Sequence, residues 1–159
     1  MKISIITPSF NSAKTVENTI NSVLSQTYPD IEHIIIDGGS TDGTLDVIEK
    51  YSHRIAYWVS EPDNGIYDAM NKGIRIATGD VVGILNSDDM YADNTLIETV
   101  VNALSESGAD SCYGDLVYVD GNDTGKVVRH WEAGNYYKDR FKKGWMPPHL
   151  TFFVKREIY

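Results

Sequence analysis

Two adjacent aspartates, Asp88 and Asp89, directly follow an apolar run from Val81 to Leu85. Neighbouring carboxylates repel, so setting them at the mouth of an apolar layer costs free energy unless they share a cation. Oxygen ligands in an incomplete shell suit Mg²⁺ or Mn²⁺, with substrate phosphates supplying the rest. The competing reading is a helix N-cap, a position Asp favours. Asp93 stands nearer the next helical pattern and is better placed for that cap. Three other residues carry similar alternatives. Asp37 closes a run of three isoleucines and is either a turn residue bonding the glycine-rich backbone beyond it or an acceptor for a base or ribose. Phe10, in a polar stretch, is either a plug for the core or a face on which a base stacks. Lys72 is either a solvated lysine or a phosphate clamp.

These residues act together only if the chain brings them to one place, and the periodicity says how. Ile3 to Thr7 reads as a strand stopped by Pro8 and the polar turn Ser9 to Ser12. Val16, Ile20, Val23 and Leu24 share one face of a helix that ends by Tyr28-Pro29-Asp30. Ile31 to Asp37, apolar on both faces, has the pattern of a buried parallel strand. A glycine-rich turn, Gly38 to Gly43, leads to a short helix through Leu45, Val47 and Ile48. A third strand is expected over Ile55 to Ser60, a helix over Ile66 to Ala77, a strand over Val81 to Leu85, and a helix from Leu96 to Leu104. Alternation of this kind predicts an α/β fold, three layers with helices on a mostly parallel sheet. In such sheets ligands bind beyond the carboxyl ends of the strands. Pro8 to Asn11, Asp37, Glu61 to Asn64 and Asn86 to Asp89 all fall there.

After about Ser105 the rhythm changes. Short strands are expected at Asp110 to Tyr113, Leu116 to Val119 and Lys126 to His130, the last two joined by a polar turn from Asp120 to Gly125. Trp131 to Pro148 has no clear period. The expected organisation is one domain over 1–159, with a ligand-binding half at 1–105 and the start of a second half at 106–159.

Composition removes several classes. A chain of 159 residues with 42% hydrophobic and 23% charged residues is long enough to bury a core. Its formal net charge of −9 argues against nucleic acid or an anionic membrane as main partner. A single cysteine, Cys112, allows no internal disulfide and fits a reducing, cytoplasmic setting. No stretch is apolar enough to span a bilayer, so any membrane contact is expected to be peripheral. No G-x-G-x-x-G follows the first strand, Gly121 to Lys126 is one residue short of a phosphate loop, and no Cys/His spacing suits zinc. The loop from Asp120 to Trp131 lacks the final Glu of a calcium loop.

Taken in order, TPSFN (Thr7 to Asn11), SVLSQTYPDIEHIIIDGGSTDGT (Ser22 to Thr44), EPDNGIYDAMNKGI (Glu61 to Ile74), ATGDVVGILNSDD (Ala77 to Asp89) and, less sharply, PPHLTFF (Pro147 to Phe153) resemble the family-2 glycosyltransferases of GT-A fold. The resemblance covers nearly the whole chain. It implies a nucleotide-diphospho-sugar donor, most commonly a UDP-sugar, with Mn²⁺ or Mg²⁺, and transfer with inversion to a glycan or lipid-linked acceptor. Family members make polysaccharides, lipid-linked glycans and cell-surface polymers. By position, Pro8 and Phe10 would bracket the base and Asp37 would hold base or ribose. Asn11, Asp63, Lys72 and Asp88 join them in the expected binding set, and Asp89 is the expected direct metal ligand.

Three departures stand out. Asn86 occupies a place where the family's metal motif often has Asp, and Met70 one where many members have Arg. The third concerns the general base that inverting transfer needs. In the family that carboxylate follows a segment like PPHLTFF. Glu157 is too close to it and Asp139 precedes it, so the base is expected beyond Tyr159 and the chain is expected to be a fragment or a short member. His149 is an acceptor-site residue or a loop residue. Beside the transferase reading stand a non-catalytic nucleotide-sugar-binding domain and, more distantly, a sugar nucleotidyltransferase. The latter would need a Gly- and Arg-rich loop where this chain has TPSFNS.

Overall fold

The computed structural model describes residues 1–159. Its centre is a six-stranded sheet. β1 (Ile3–Ser9) is flanked by β2 (Ile31–Asp37) and β4 (Val81–Ile84), both parallel to it, and β3 (Tyr57–Ser60) lies parallel outside β2. On the other side, β8 (Phe153–Lys155) pairs antiparallel with β4 and with the edge strand β5 (Ser111–Cys112), giving the order β3-β2-β1-β4-β8-β5. Helices α1 (Val16–Leu24), α2 (Thr44–Lys50), α3 (Ile66–Ile76) and α4 (Leu96–Ser107) connect the first strands. β6 (Leu116–Asp120) and β7 (Asp123–Trp131) form a separate antiparallel ribbon.

The β-branched runs form strands because both faces of the sheet are covered. Ile3 and Ile5 point toward α1 and α4, packing with Val23, Ile97, Val100 and Leu104. Ile35 meets Val16, Ile20 and Ile48 on the same side. Ile6, Ile34 and Ile36 face the opposite way, onto α3 through Ala69. This is the three-layer α/β/α arrangement expected from the alternation. Burying each isoleucine contributes about 1.5–3 kcal/mol. Helix α3 lies close against β1 because Gly73 faces Ile6. A Cβ at Gly73 would come within 2.3 Å of Ile6 Cγ2.

Several boundaries differ from expectation. β1 runs through Pro8 to Ser9 instead of stopping at Thr7. The Ile6 carbonyl accepts from Leu85 N–H and the Ser9 carbonyl from Gly38 N–H, so by strand alternation position 8 faces the β4 side. β1 and β4 pair only as far as Ile6↔Ile84, and proline's missing donor therefore breaks no rung. β3 starts two residues late, after a 3-10 turn over Ser52–Arg54. The turn between β6 and β7 shrinks to Gly121-Asn122 because β7 begins at Asp123, with a bulge near Val119. Strand β8, which starts at the last residue of the PPHLTFF motif, was not expected from periodicity. Three residues carry no period, and the strand exists because β4 and β5 each offer it an edge.

Candidate functional site

The chain moves outward from β1 through β2 to β3, then crosses back to place β4 on β1's other side. That reversal opens a crevice beyond the carboxyl ends of β1 and β4, where ligands of open α/β sheets bind. A cleft of about 820 Å³ lies there. Pro8, Phe10, Asn11 and Ser12 line it from β1, and Gly38 from β2. Pro62 and Asp63 come from the loop after β3, and Asn86, Ser87 and Asp88 from the loop after β4.

Phe10 is 63% exposed, so the core-plug reading falls and an open aromatic face remains. Asn11 adopts φ 49°, a left-handed conformation that asparagine tolerates. Its backbone N–H donates to Ser40 Oγ at 2.7 Å and its Oδ1 accepts from Thr41 N–H at 3.0 Å, tying the β1 loop to the turn after β2. A 2.6 Å bond between Ser12 Oγ and Ser87 Oγ ties the same loop to the one after β4.

Asp37 is wholly buried. Its Oδ2 accepts from the Gly39 and Ser40 N–H groups and from Ser60 Oγ, while Oδ1 accepts from Ser40 Oγ at 2.5 Å. Of its two readings the structure supports the turn residue: it holds the loops after β2 and β3 and lies outside the cleft lining. Lys72 also has its partners within the chain. Its ammonium lies 2.8 Å from Glu61 and 3.6 Å from Asp68 and donates to the Pro62 carbonyl, so it braces the loop after β3 and stays out of the cleft lining. Met70 is buried in the α3 face.

The acidic pair divides. Asp88 is exposed and lines the cleft, whereas Asp89 is half-buried behind it. Burial first, then the charge of Asp88, pushes the Asp89 carboxyl above its ordinary value, against the pull of the Asn86 amide and of His149. Neither aspartate caps α4. Asp93 receives Thr95 N–H and Oγ1–H just before the helix, and Gln26 Oε1 accepts from Ile97 N–H within it. The expected cap at Asp93 is not formed: Thr95 is the N-cap residue and makes no side-chain cap bond, while Asp93, two positions earlier, fixes the turn that leads into it. Thr19 Oγ1 donates to the Asp89 carbonyl at 2.7 Å and so holds the acidic loop from α1. His149 Nε2 comes within 3.3 Å of Asn86 Nδ2, which brings the PPHLTFF segment to the rim.

A divalent cation fits this corner by charge and donor chemistry. Two carboxylates come from consecutive residues, one on the cleft and one half-buried behind it, and the buried Asn86 Oδ1 has no hydrogen-bond partner. No group of three or more His, Cys, Asp or Glu side chains gathers to hold an ion unaided. The remaining ligands would come from phosphate and water oxygens, the usual habit of Mg²⁺.

Reading the sequence missed Ser12, Ser87 and Thr19. Ser12 adjoins the TPSFN motif and Ser87 lies within ATGDVVGILNSDD, but Thr19 lies on the buried face of α1, where only its polar type was a signal. Glu157 is exposed, and Asp139 pairs with Lys142 at 2.7 Å.

Comparison with known proteins gives a consistent picture. The model of the family described as "Glycosyl transferase family 2" matches residues 4–155. The putative teichuronic acid biosynthesis glycosyltransferase TuaG of Bacillus subtilis is 35% identical over 159 residues, which is 98% of this chain and 62% of TuaG. S. aureus TarS, solved in complex with UDP-GlcNAc, superimposes with a TM-score of 0.75 at 20% identity, covering 99% of this chain and 46% of that one. Mannosyltransferase PcManGT from Pyrobaculum calidifontis, solved with GDP-Man and Mn²⁺, gives 0.73 at 20%, covering 99% and 45%. The chain spans 39% to 62% of the length of the curated relatives it matches. No helix is long and apolar enough to cross a membrane.

Proposed function

Because this chain belongs to glycosyl transferase family 2 and shares the GT-A fold, we propose that its cleft binds a nucleotide-diphospho-sugar. The complete protein transfers that sugar, with inversion, to a glycan or lipid-linked acceptor. One observation carries the reading. Polar and aromatic groups from the ends of β1 and β4 and from the loop after β3, with Gly38 at the end of β2, line a single cleft at the point where strand order reverses.

The chain's own residues divide the work. Phe10 offers a face to the base beside Pro8, and Asn11 keeps that loop in register with the turn after β2. Asp88 and Asp89 would hold a divalent ion at the opposite end. When bound, that ion neutralises charge developing on the leaving diphosphate. Thr19 fixes the Asp89 backbone, and the Ser12–Ser87 bond sets the distance between the base-side and phosphate-side loops. Asp37, buried beneath, keeps the turn after β2 from collapsing into the cleft. The general base that takes the acceptor's proton is a carboxylate outside this set. The two solved complexes support the class of donor, since one carries UDP-GlcNAc and the other GDP-Man with Mn²⁺.

Calorimetric titration with UDP and GDP, with and without Mn²⁺, tests the reading. Binding of at least one of them that strengthens with the ion is expected. Absence of binding by both, with or without Mn²⁺, would overturn it.

A further inference from the structure

The carboxylate facing the cleft above the end of β2 comes from a different strand's loop. Asp37 is turned under and saturated by its own turn. Above it, at Gly38, the chain has no side chain, and the Asp63 carboxylate fills the space. A Cβ built on Gly38 would lie 2.7 Å from Asp63 Oδ2 and 3.1 Å from the carboxyl carbon. Both residues line the cleft. Asp63 Oδ1 accepts from Gly65 N–H at 2.8 Å, which fixes the plane of the group, while Oδ2 has no donor from the chain. Lys72 clamps the loop just before it, through Glu61 and the Pro62 carbonyl. The result is a half-buried, oriented carboxylate to whose Oδ2 no group of the chain donates.

Strand order decides what part of a ligand this acceptor meets. The loop after β3 and the acidic loop after β4 are three strands apart, about 14 Å at the usual spacing. A diphosphate belongs at the acidic loop, where a cation offsets the charge, and is repelled by Asp63. The uncharged base therefore lies toward Asp63, within reach of the exposed Phe10 face.

We propose that Asp63 selects the base by accepting its ring N–H at Oδ2, with Gly38 supplying the room. The proposal rests on the reading of the cleft as a nucleotide-diphosphate site and adds the chemistry that distinguishes one nucleotide from another. An ionised carboxylate only accepts hydrogen bonds. Uracil, thymine and guanine present a ring N–H on their pairing edge. Cytosine and adenine present a ring nitrogen lone pair there, which would face the carboxylate acceptor to acceptor.

Titrating the protein with UDP, GDP, CDP and ADP in Mn²⁺ supplies the test, repeated on Asp63→Ala, Asp63→Asn and Gly38→Ala. For the native protein, UDP or GDP is expected to bind at least about 10-fold tighter than CDP and ADP, the scale of a mismatched hydrogen bond to a charged group. Asp63→Ala should bring the preferred nucleotide down to the level of CDP while Mn²⁺ still strengthens binding. Asp63→Asn, whose amide can donate, should move the UDP/CDP ratio toward CDP. Gly38→Ala should narrow the preference although residue 63 is unchanged, because the new methyl group displaces Oδ2. Equal binding of all four by the native protein, or a preference that survives in Asp63→Ala, would overturn the role of Asp63 and leave the donor reading intact. Failure of every nucleotide to bind would overturn both.

Discussion

Residues 1–105 and 106–159 of this chain are held in shape by different means. Every residue of β1 is buried, and β2 is buried from Glu32 to Asp37. In β7 every residue from Asp123 to His130 is exposed. The charges divide too. The first 105 residues hold fifteen acidic and six basic side chains and so carry the whole net charge of −9, while the rest is balanced at eight of each. The later segment joins the main sheet through β5 and β8, and its β6–β7 ribbon stands apart. Its local order comes from aromatic contacts. The Trp145 ring meets Tyr113, Tyr136 and Phe141 at centroid distances of 5.2–5.9 Å, and Trp145 Nε1 donates to the Ala133 carbonyl. Loops that must hold chemical groups at set spacings leave strands locked on both faces. An exposed ribbon holds no such spacing, and two strands alone are marginally stable in water.

Substitutions can break that contrast or sharpen it. Ile35→Ala removes a fully buried side chain from the face under α1 and α2. It should cost about 2–5 kcal/mol in urea unfolding. A cost below 1 kcal/mol would mean that the central strands are not the stiff region. Asp89→Ala should leave the melting temperature nearly unchanged, because the residue lies on a rim. Mn²⁺-dependent nucleotide affinity should fall by more than the roughly 10–100-fold typical of an outer-sphere partner. Unaltered Mn²⁺-dependent affinity would remove Asp89 from the metal site.

His33 probes the locked region by pH. Burial lowers its pKa from 6.5 to about 3, and its Nε2 meets Thr7 Oγ1 at 2.9 Å. Below pH 6.5 the unfolded chain takes up a proton that the folded one refuses. This contribution to stability is therefore complete above 6.5 and falls, by at most about 1.4 kcal/mol per pH unit, until the folded group titrates near 3. Unfolding measured at pH 7 and 5.5 should show this loss in the native protein and little of it in His33→Gln. Equal pH dependence in the two would show that His33 is not held neutral. Smallest of all, Val128→Ala, at a position 58% exposed on β7, should change stability by less than about 0.5 kcal/mol. A larger loss would mean that the ribbon is more tightly coupled to the body of the protein than its exposure implies.

Much of the first region was legible because its signals are local. Three consecutive isoleucines before Asp37, and a 3.6-residue apolar rhythm in α3 and α4, name a buried strand and covered helices without reference to distant residues. The same reading placed Phe10, Asp63 and Asp88 on one rim, since parallel strands must all end on the same side. It failed where a residue's role depends on a partner remote in the chain. Pro8 stays in β1 because β4 has already ended. Strand β8 exists because two edges await it. Thr19 has a role only because the Asp89 carbonyl, 70 positions away, lies within reach of its hydroxyl.

What the residues determined by themselves is the alternation, the three layers and the set of loops that meet at the cleft, because these follow from periodic burial and from strand direction. Which carboxylate reaches the cleft was decided only in three dimensions. Asp37 is drawn under by Ser40 beside it and by Ser60, 23 positions away, while Asp63 comes forward over a glycine 25 positions before it. Hydrogen bonds and van der Waals radii act between neighbours in space, and the fold had to choose those neighbours first.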